Sequence, residues 1–505
     1  MARSVAQSTA QSTAQPADQS TAQSTAQPAG IKPTELVERA LAIPGPDVVG
    51  RVVLVTESSE AVLRWANSTM TTNGHSTAIS WSVISLVRLD GGGTGRAGVA
   101  AGVVTSSARA GDPHEIESMV RASERAARQS GPARDVADLP EPPAGGDSAG
   151  WDDPAGETSI GVYGRLAEQL AEAFGRGRDG KRVLYGFASH EVATTWLGTS
   201  TGVRRRWTQP TGSVELNAKS ADLTRSAWGG RSTADFSDVD LLALDAELAT
   251  RLGWGARRIE QPAGRYPTIL PPSAVADLLT YLCWGMSGRP AQEGRSPFSA
   301  PPGAQTATRV GERLTTLPLT LTSDPAMGDG LNTMPFLATA HSSDDVSVFD
   351  NGAPLGRVDW IADGVINALT YPRAAAAEFG TQFAAPGDNL ALTGGTDGSL
   401  ADLVGRTERG LLLTCLWYIR VVDPATLLLT GLTRDGVYLV EGGEVVGEVN
   451  NFRFNESPLD LLRRASQVGA PERTLPREFK DWFTRTVMPA ILVPDFNMSS
   501  VSQAS

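Results

Sequence analysis

The chain has 505 residues, a net charge of −12 and 41% apolar residues. This length predicts two or three domains with a sizeable core, and the acidic balance excludes the broad Lys/Arg surplus that nucleic-acid binding needs. No apolar run approaches the roughly 20 residues of a membrane span, the N-terminus does not read as a secretory signal, and two cysteines make no disulfide framework, so a soluble, cytoplasmic protein that binds no membrane is expected.

Residues 2–29 repeat Ala-Gln-Ser-Thr and Ala-Gln-Pro-Ala units. They offer almost no apolar surface to offset the entropy of ordering, so residues 1–31 are expected to be a disordered tail. An N-terminal α/β domain is predicted over 32–130. Its first helix opens at Pro33 and gathers Leu36, Val37, Ala40 and Leu41 on one face. Residues 52–55, 62–67 and 78–89 read as strands, with Asn73-Gly74 marking the turn between the last two. A helix over 113–127 brings Ile116, Met119 and Val120 together.

Residues 131–158 are rich in Pro, Gly and Asp and read as a linker or long loop. A middle α/β domain follows over 159–258. Its helix places Val162, Tyr163, Leu166, Leu170, Ala173 and Phe174 at helical spacing and is expected to end at Gly175. Strands are predicted at 183–187, 194–197, 204–210 and 213–218, turning at Thr201-Gly202, before a helix over 241–252. The third region, 259–498, starts with a strand at 266–270 and a helix over 273–284 with Ser273 as N-cap. From Leu314 onward it is β-rich, with turns at Asn351-Gly352, Gly394-Gly395, Asp435-Gly436 and Gly442-Gly443, and short helices at 399–407 and 458–466. The expected class is α+β: N-terminal α/β domains followed by a C-terminal β-rich domain, barrel-like or a curved sheet.

The residues alone do not declare a chemistry. A catalytic zinc takes three protein ligands on rigid elements, yet the chain has only His75, His114, His190 and His341, far apart in sequence. His190-Glu191 begins like a zincin motif, but Thr194 and Thr195 stand where the second His would fall, so His190 reads as a surface or loop residue. Cys283 and Cys415 sit among apolar neighbours and read as packed, inert thiols. The Gly-rich run 90–95 lacks the Lys-Ser/Thr ending of a phosphate loop and reads as a turn. Asp344, Asp345, Asp350 and Asp359 cluster, and turn chemistry or solvated edges account for them.

Several segments, in order, resemble the TldD/PmbA (TldE) family of peptidases. They are Gly264-Arg-Tyr-Pro-Thr-Ile-Leu-Pro-Pro-Ser-Ala-Val-Ala-Asp-Leu-Leu, Phe349-Asp350-Asn351-Gly352-Ala353-Pro354 read as a hairpin, Trp360 to Ile366, Gly410 to Thr414, Gly436 to Glu444, and Asn450 to Asn455. The resemblance runs from about Lys32 to Met498. It implies a family of paired homologous subunits, one of which carries His-Glu-x-x-x-His and a C-terminal Cys that hold zinc. Here Thr280, Tyr281 and Gly285 stand where that motif's His, Glu and His would be, and residues 475–498 contain no Cys. The resemblance therefore implies a TldE (PmbA)-like subunit with no metal site and no catalytic residue of its own. Zinc is expected in a TldD-like partner of a heterodimer, acting on unfolded or short peptides, and the lone chain is expected to be inactive. Asn450, Asn451 and Arg453 are the substrate-binding residues to examine, being polar in an apolar strand context. Two other readings stay open. One is a metal-independent hydrolase of a small natural product, with Cys415 or Cys283 as nucleophile. The other is a non-enzymatic peptide-binding scaffold.

Overall fold

The computed structural model describes residues 30–90, 97–143, 150–395 and 398–502. The expected tail falls almost wholly outside the described residues, as does most of the Gly-rich run 90–95. The fold is α+β, as expected.

The N-terminal part is one antiparallel sheet. Its strands are β1 (Val48–Ala66), β2 (Thr69–Asp90), β3 (Ala97–Ser106), β4 (Arg182–Thr199), β5 (Arg204–Ser220) and β6 (Ser226–Thr233), in the order β3-β2-β1-β4-β5-β6. Residues 32–130 and 159–258 thus contribute three strands each to the same sheet, joined where β1 pairs with β4. Helices α1 (Pro33–Ala42), α2 (Pro113–Ser130), α3 (Gly164–Asp179) and α4 (Leu241–Trp254) pack on it. The apolar faces named from the sequence are the buried ones: Leu36, Val37 and Ala40 on α1, and Leu166, Leu170, Ala173 and Phe174 on α3.

Several sequence expectations change here: the strands predicted at 52–55 and 62–67 are the single strand β1, and those at 183–187 and 194–197 the single strand β4. The β1–β2 turn lies at Asn67-Ser68, both left-handed (φ 52° and 55°), and Asn73-Gly74 sits inside β2 opposite Leu63 and Val62. Two consecutive positive-φ residues give the twist a tight hairpin needs, and Asn tolerates that region well. Helix α3 runs past Gly175 to Asp179, and Gly177 within it lies close to the Arg182 carbonyl of β4. The predicted strands at 204–210 and 213–218 are a single strand. Pro210 pairs with Val192 on one side while β6 begins pairing only at Gly212, so the missing N–H faces no neighbour.

The C-terminal part holds β7 (Arg258–Ile259), β8 (Gly264–Leu270), α5 (Pro272–Gly285), α6 (Gly288–Gln292), β9 (Thr320–Ser323), β10 (Val358–Ala362), β11 (Val365–Ile366), α7 (Arg373–Phe379), β12 (Asn389–Thr393) and α8 (Leu400–Gly405). It continues with β13 (Arg409–Leu413), β14 (Leu416–Asp423), β15 (Leu428–Thr433), β16 (Val437–Glu441), β17 (Glu444–Val449), β18 (Phe452–Glu456), α9 (Pro458–Arg464), β19 (Gln467–Thr474) and β20 (Arg485–Val501). These strands form a mixed sheet with the spine β11-β10-β9-β12-β20-β8-β13-β16-β17-β7 and β14, β15, β18 and β19 branching from it. Asp435 (φ 51°) with Gly436 and the Gly442-Gly443 pair make the expected turns. Ser399 caps α8 with a capping box to Asp402.

Two more expectations are corrected. Ser273 does not cap α5: Pro271 is the N-cap, Pro272 opens the helix, and no side chain bonds its first turn. Phe349 to Pro354 is not a hairpin. Val348–Asp350 is a 3-10 turn in the interior, where Asn351 accepts from Thr339 N at 2.7 Å and donates to the Thr339 and Val348 carbonyls, both at 2.9 Å. Asp350 belongs to that buried node and pairs with Arg373 at 2.8 Å, so it is neither a solvated edge nor an exposed turn residue.

Among the described residues, no helix is long and apolar enough to cross a membrane.

Candidate functional site on helix α5

Helix α5 is apolar almost all round. Ala274, Val275, Ala276, Leu278, Leu279 and Leu282 are all buried, and the helix packs against β20, β19, β8 and α9. Such a helix can only sit inside a core. Its C-terminal end carries the three positions singled out by the family resemblance. Thr280 is buried, and its hydroxyl donates to Ala276 O at 2.9 Å, within the helix. Tyr281 donates its hydroxyl to Ile419 O on β14 at 2.7 Å. Gly285 ends the helix and brings no side chain.

The space beside these positions is filled by aromatic rings. Tyr281 meets Trp284 at 5.1 Å and Phe479 at 5.2 Å, and Trp284 meets Phe479 at 5.1 Å and Trp482 at 5.4 Å, all edge-to-face. A zinc ion does not fit this set. One hydroxyl is committed to the helix backbone, another to a strand carbonyl, and the third position has no donor atom. Among the described residues, no three His, Cys, Asp or Glu side chains are grouped so as to hold a metal ion.

Phe479 and Trp482 belong to residues 475–484, the irregular connection between β19 and β20, which lies over α5 as a cover. Asp277, one turn before Tyr281, anchors it. The Asp277 carboxylate accepts the backbone N–H groups of Arg477 (3.1 Å), Glu478 (3.0 Å) and Phe479 (3.2 Å). Burial pushes Asp277 up to about 7 despite those three donors, and the nearby Glu478 adds to the rise. Glu478 accepts from Ile419 N at 3.0 Å and from Arg420 at 2.8 Å, and burial raises its carboxyl too.

The Arg477 side chain turns inward between the rings of Trp228 (5.3 Å) and Trp417 (5.2 Å). It pairs with Asp435 at 2.7 Å and bonds the Cys415 thiol. Lys480 pairs with Glu215, which also accepts from Trp228 Nε1 at 2.9 Å. The cover therefore touches both the C-terminal sheet and β5 and β6 of the N-terminal one.

The cysteines are the packed thiols expected. Cys415 is buried and Cys283 packs against the main core, and burial pushes both up to about 12. His190 corrects the expectation of a surface residue. It is buried on β4, with Nδ1 2.7 Å from the Thr158 hydroxyl and Nε2 2.7 Å from Ala234 O. A strand position facing the packed connection 150–159, rather than solvent, explains the difference. His75 is exposed on β2, 3.0 Å from the Ser59 hydroxyl.

Asn450, Asn451 and Arg453 lie at the β17–β18 connection and the start of β18. Asn450 Oδ1 accepts from Gln261 N at 2.7 Å, Asn451 O accepts from Ser502 N at 2.8 Å, and Arg453 pairs across to Leu432 and Ser500. The sequence reading passed over Asp277, Arg477 and Glu478. A signal existed for Asp277, a lone carboxylate inside Ser-Ala-Val-Ala-Asp-Leu-Leu, because a charge in an apolar helix needs partners.

Residues 263–500 match the PmbA/TldA metallopeptidase C-terminal domain. The likeness of solved structures extends over nearly the whole chain. A TldE from Thermococcus kodakarensis superposes with a TM-score of 0.71 at 16% identity, covering 92% of this chain and 98% of its own. A protein from Thermotoga maritima, described as a proposed modulator of a DNA gyrase, gives 0.67 at 16% identity over 89% and 95%. A Bacteroides thetaiotaomicron protein of similar description gives 0.68 at 15% identity over 92% and 97%. No curated protein matches the chain in sequence. Residues 263–500 thus form a PmbA/TldA-type C-terminal domain, and the chain shares the fold of these solved structures.

Proposed function

We propose that this chain is the non-metal-binding subunit of a heteromeric zinc metallopeptidase acting on unfolded or short peptides. The observation that carries the reading is the α5 face. Thr280, Tyr281 and Gly285 offer no ligand set, and Trp284, Phe479 and Trp482 take up the space beside them. In this reading the zinc, the activated water and the attack on the peptide carbonyl belong to a TldD-like partner. This chain contributes walls and strand edges to a shared chamber in the cytoplasm, and Asn450, Asn451 and Arg453 are proposed to face the peptide.

The alternative with a cysteine nucleophile is disfavoured by the two thiols themselves. Both are held near 12 by burial, so neither supplies thiolate at neutral pH. The deciding experiment is co-expression with a homologue bearing His-Glu-x-x-x-His. The expected outcome is a complex that carries zinc and cleaves flexible peptides, with a metal-free, inactive lone chain. Stoichiometric zinc in the lone chain, or peptide cleavage by it that resists chelators, would sink the proposal.

A further inference from the structure

Residues 475–484 are attached to the rest of the molecule in an unusual way. The main-chain bonds found within the cover are internal, Trp482 N and Phe483 N both donating to Phe479 O. Phe479 and Phe483 are buried in the main core, and the cover's outward polar links run through side chains: Asp277 to three of its N–H groups, Glu478 to Ile419 N and Arg420, Arg477 to Asp435 and Cys415, and Lys480 to Glu215. Most of those links end on a carboxylate.

The second observation is at Ile419. Its N–H is taken by the Glu478 carboxylate at 3.0 Å and its carbonyl by the Tyr281 hydroxyl at 2.7 Å. These are the two bonds a neighbouring β-strand would make to that residue. Among the described residues β15 is the one strand paired with β14, and the register shifts between Trp417 and Arg420, so Glu478 and Tyr281 cap an open sheet edge at this irregularity. Beside it, Tyr418, Val422 and Trp482 are exposed apolar side chains.

We infer that residues 475–484 form a displaceable cover, latched by Asp277, whose release uncaps the β14 edge at Ile419 and separates Phe479 and Trp482 from Trp284. This inference concerns the lone chain and is independent of the proposed function. The charged and titratable groups around Asp277 are Glu478 in the cover, Cys415 on the β13–β14 connection, and Arg477, whose guanidinium is committed to Asp435 and Cys415. Desolvation holds Asp277 at about 7 in the closed form, against an ordinary value of 3.8. A carboxyl raised on closing binds its proton more tightly when closed. Opening is therefore opposed at low pH, becomes easier as pH rises from about 4 to about 7, and levels off above that.

The test is amide hydrogen exchange on the full chain across that range, with intrinsic rates divided out. Residues 475–484 and Ile419 are expected to exchange well ahead of β8 and β20, with an opening constant rising by up to about tenfold per pH unit. Asp277→Asn, neutral at every pH, is expected to flatten that rise. The wild-type pH series stands alone if the variant does not fold. Exchange of the cover no faster than that of β20, opening that falls with pH, or an unchanged slope in Asp277→Asn each overturns the inference.

Discussion

Asp350 shows how a single residue can be read correctly as a type and wrongly as a place. Its sequence context, Asp-Asn-Gly, is turn chemistry, and a turn does form there. The turn is interior, and Asp350 is fully buried, accepting from Arg373 N at 3.1 Å and from its guanidinium at 2.8 Å. Burial raises the carboxyl, and the Arg373 bonds oppose that rise. Asp350→Ala would leave the Arg373 backbone N–H and Nε–H without their acceptor, while Nη2 keeps the Asp138 and Phe349 carbonyls. We expect a loss of about 1.5–3 kcal/mol, measurable as a drop in the urea midpoint with an unchanged slope. The same logic separates Asp350 from Asp359, which is partly exposed and pairs with Arg357 at 2.9 Å. Pairs with that much exposure contribute little. Sequence gives composition and local turn propensity at such positions, whereas burial is decided by segments far away in the chain, here Arg373 and Thr339.

At the scale of elements, helices were legible and strand ends were not. Helices α1, α2, α4 and α9 follow their 3.6-residue apolar period, which depends only on neighbours within a turn or two. Strand limits depend on partners. Residues 204–220 look interrupted at Pro210 until β6 is seen to start pairing at Gly212. The Asn73-Gly74 pair reads as a turn until β1 is seen to run opposite it. The α5 site was legible in part for the same reason. The absence of metal donors is local, but the cover that fills the space arrives from about 200 residues downstream, as the Asp277–Phe479 bond shows. Close packing between elements is equally invisible in sequence. A Cβ at Gly102 on β3 would stand 2.1 Å from both Ser123 O and Ala127 N of α2. Gly102→Ala must therefore push β3 and α2 apart. We expect about 3 kcal/mol of destabilisation or more, and a lowered Tm would check it.

For the whole molecule, the consequential feature is the seam between β1 and β4. These strands pair continuously from Val52↔Thr199 to Trp65↔Gly186, so residues 32–130 and 159–258 share one sheet and its hydrogen-bond ladder. Their apolar faces are shared as well. Trp196 of β4 packs in one cluster with Val53 and Val55 of β1 and Trp81 and Val83 of β2. Across the connection, Leu139 packs with Val52, Leu54 and Leu197, and Trp151 O accepts from Trp196 Nε1 at 3.0 Å. A chain cut within 144–149 leaves each half with a long unpaired sheet edge, β1 in one and β4 in the other, an arrangement prone to edge-to-edge association. Separately expressed halves are therefore expected to aggregate. Co-expressed halves should recover a soluble, non-covalent complex, because the β1–β4 ladder and its shared apolar cluster remain available to join them. Size-exclusion chromatography with light scattering decides between the two arrangements. Two independently soluble, monomeric halves would mean that the β1–β4 ladder does not bind them into one folding unit.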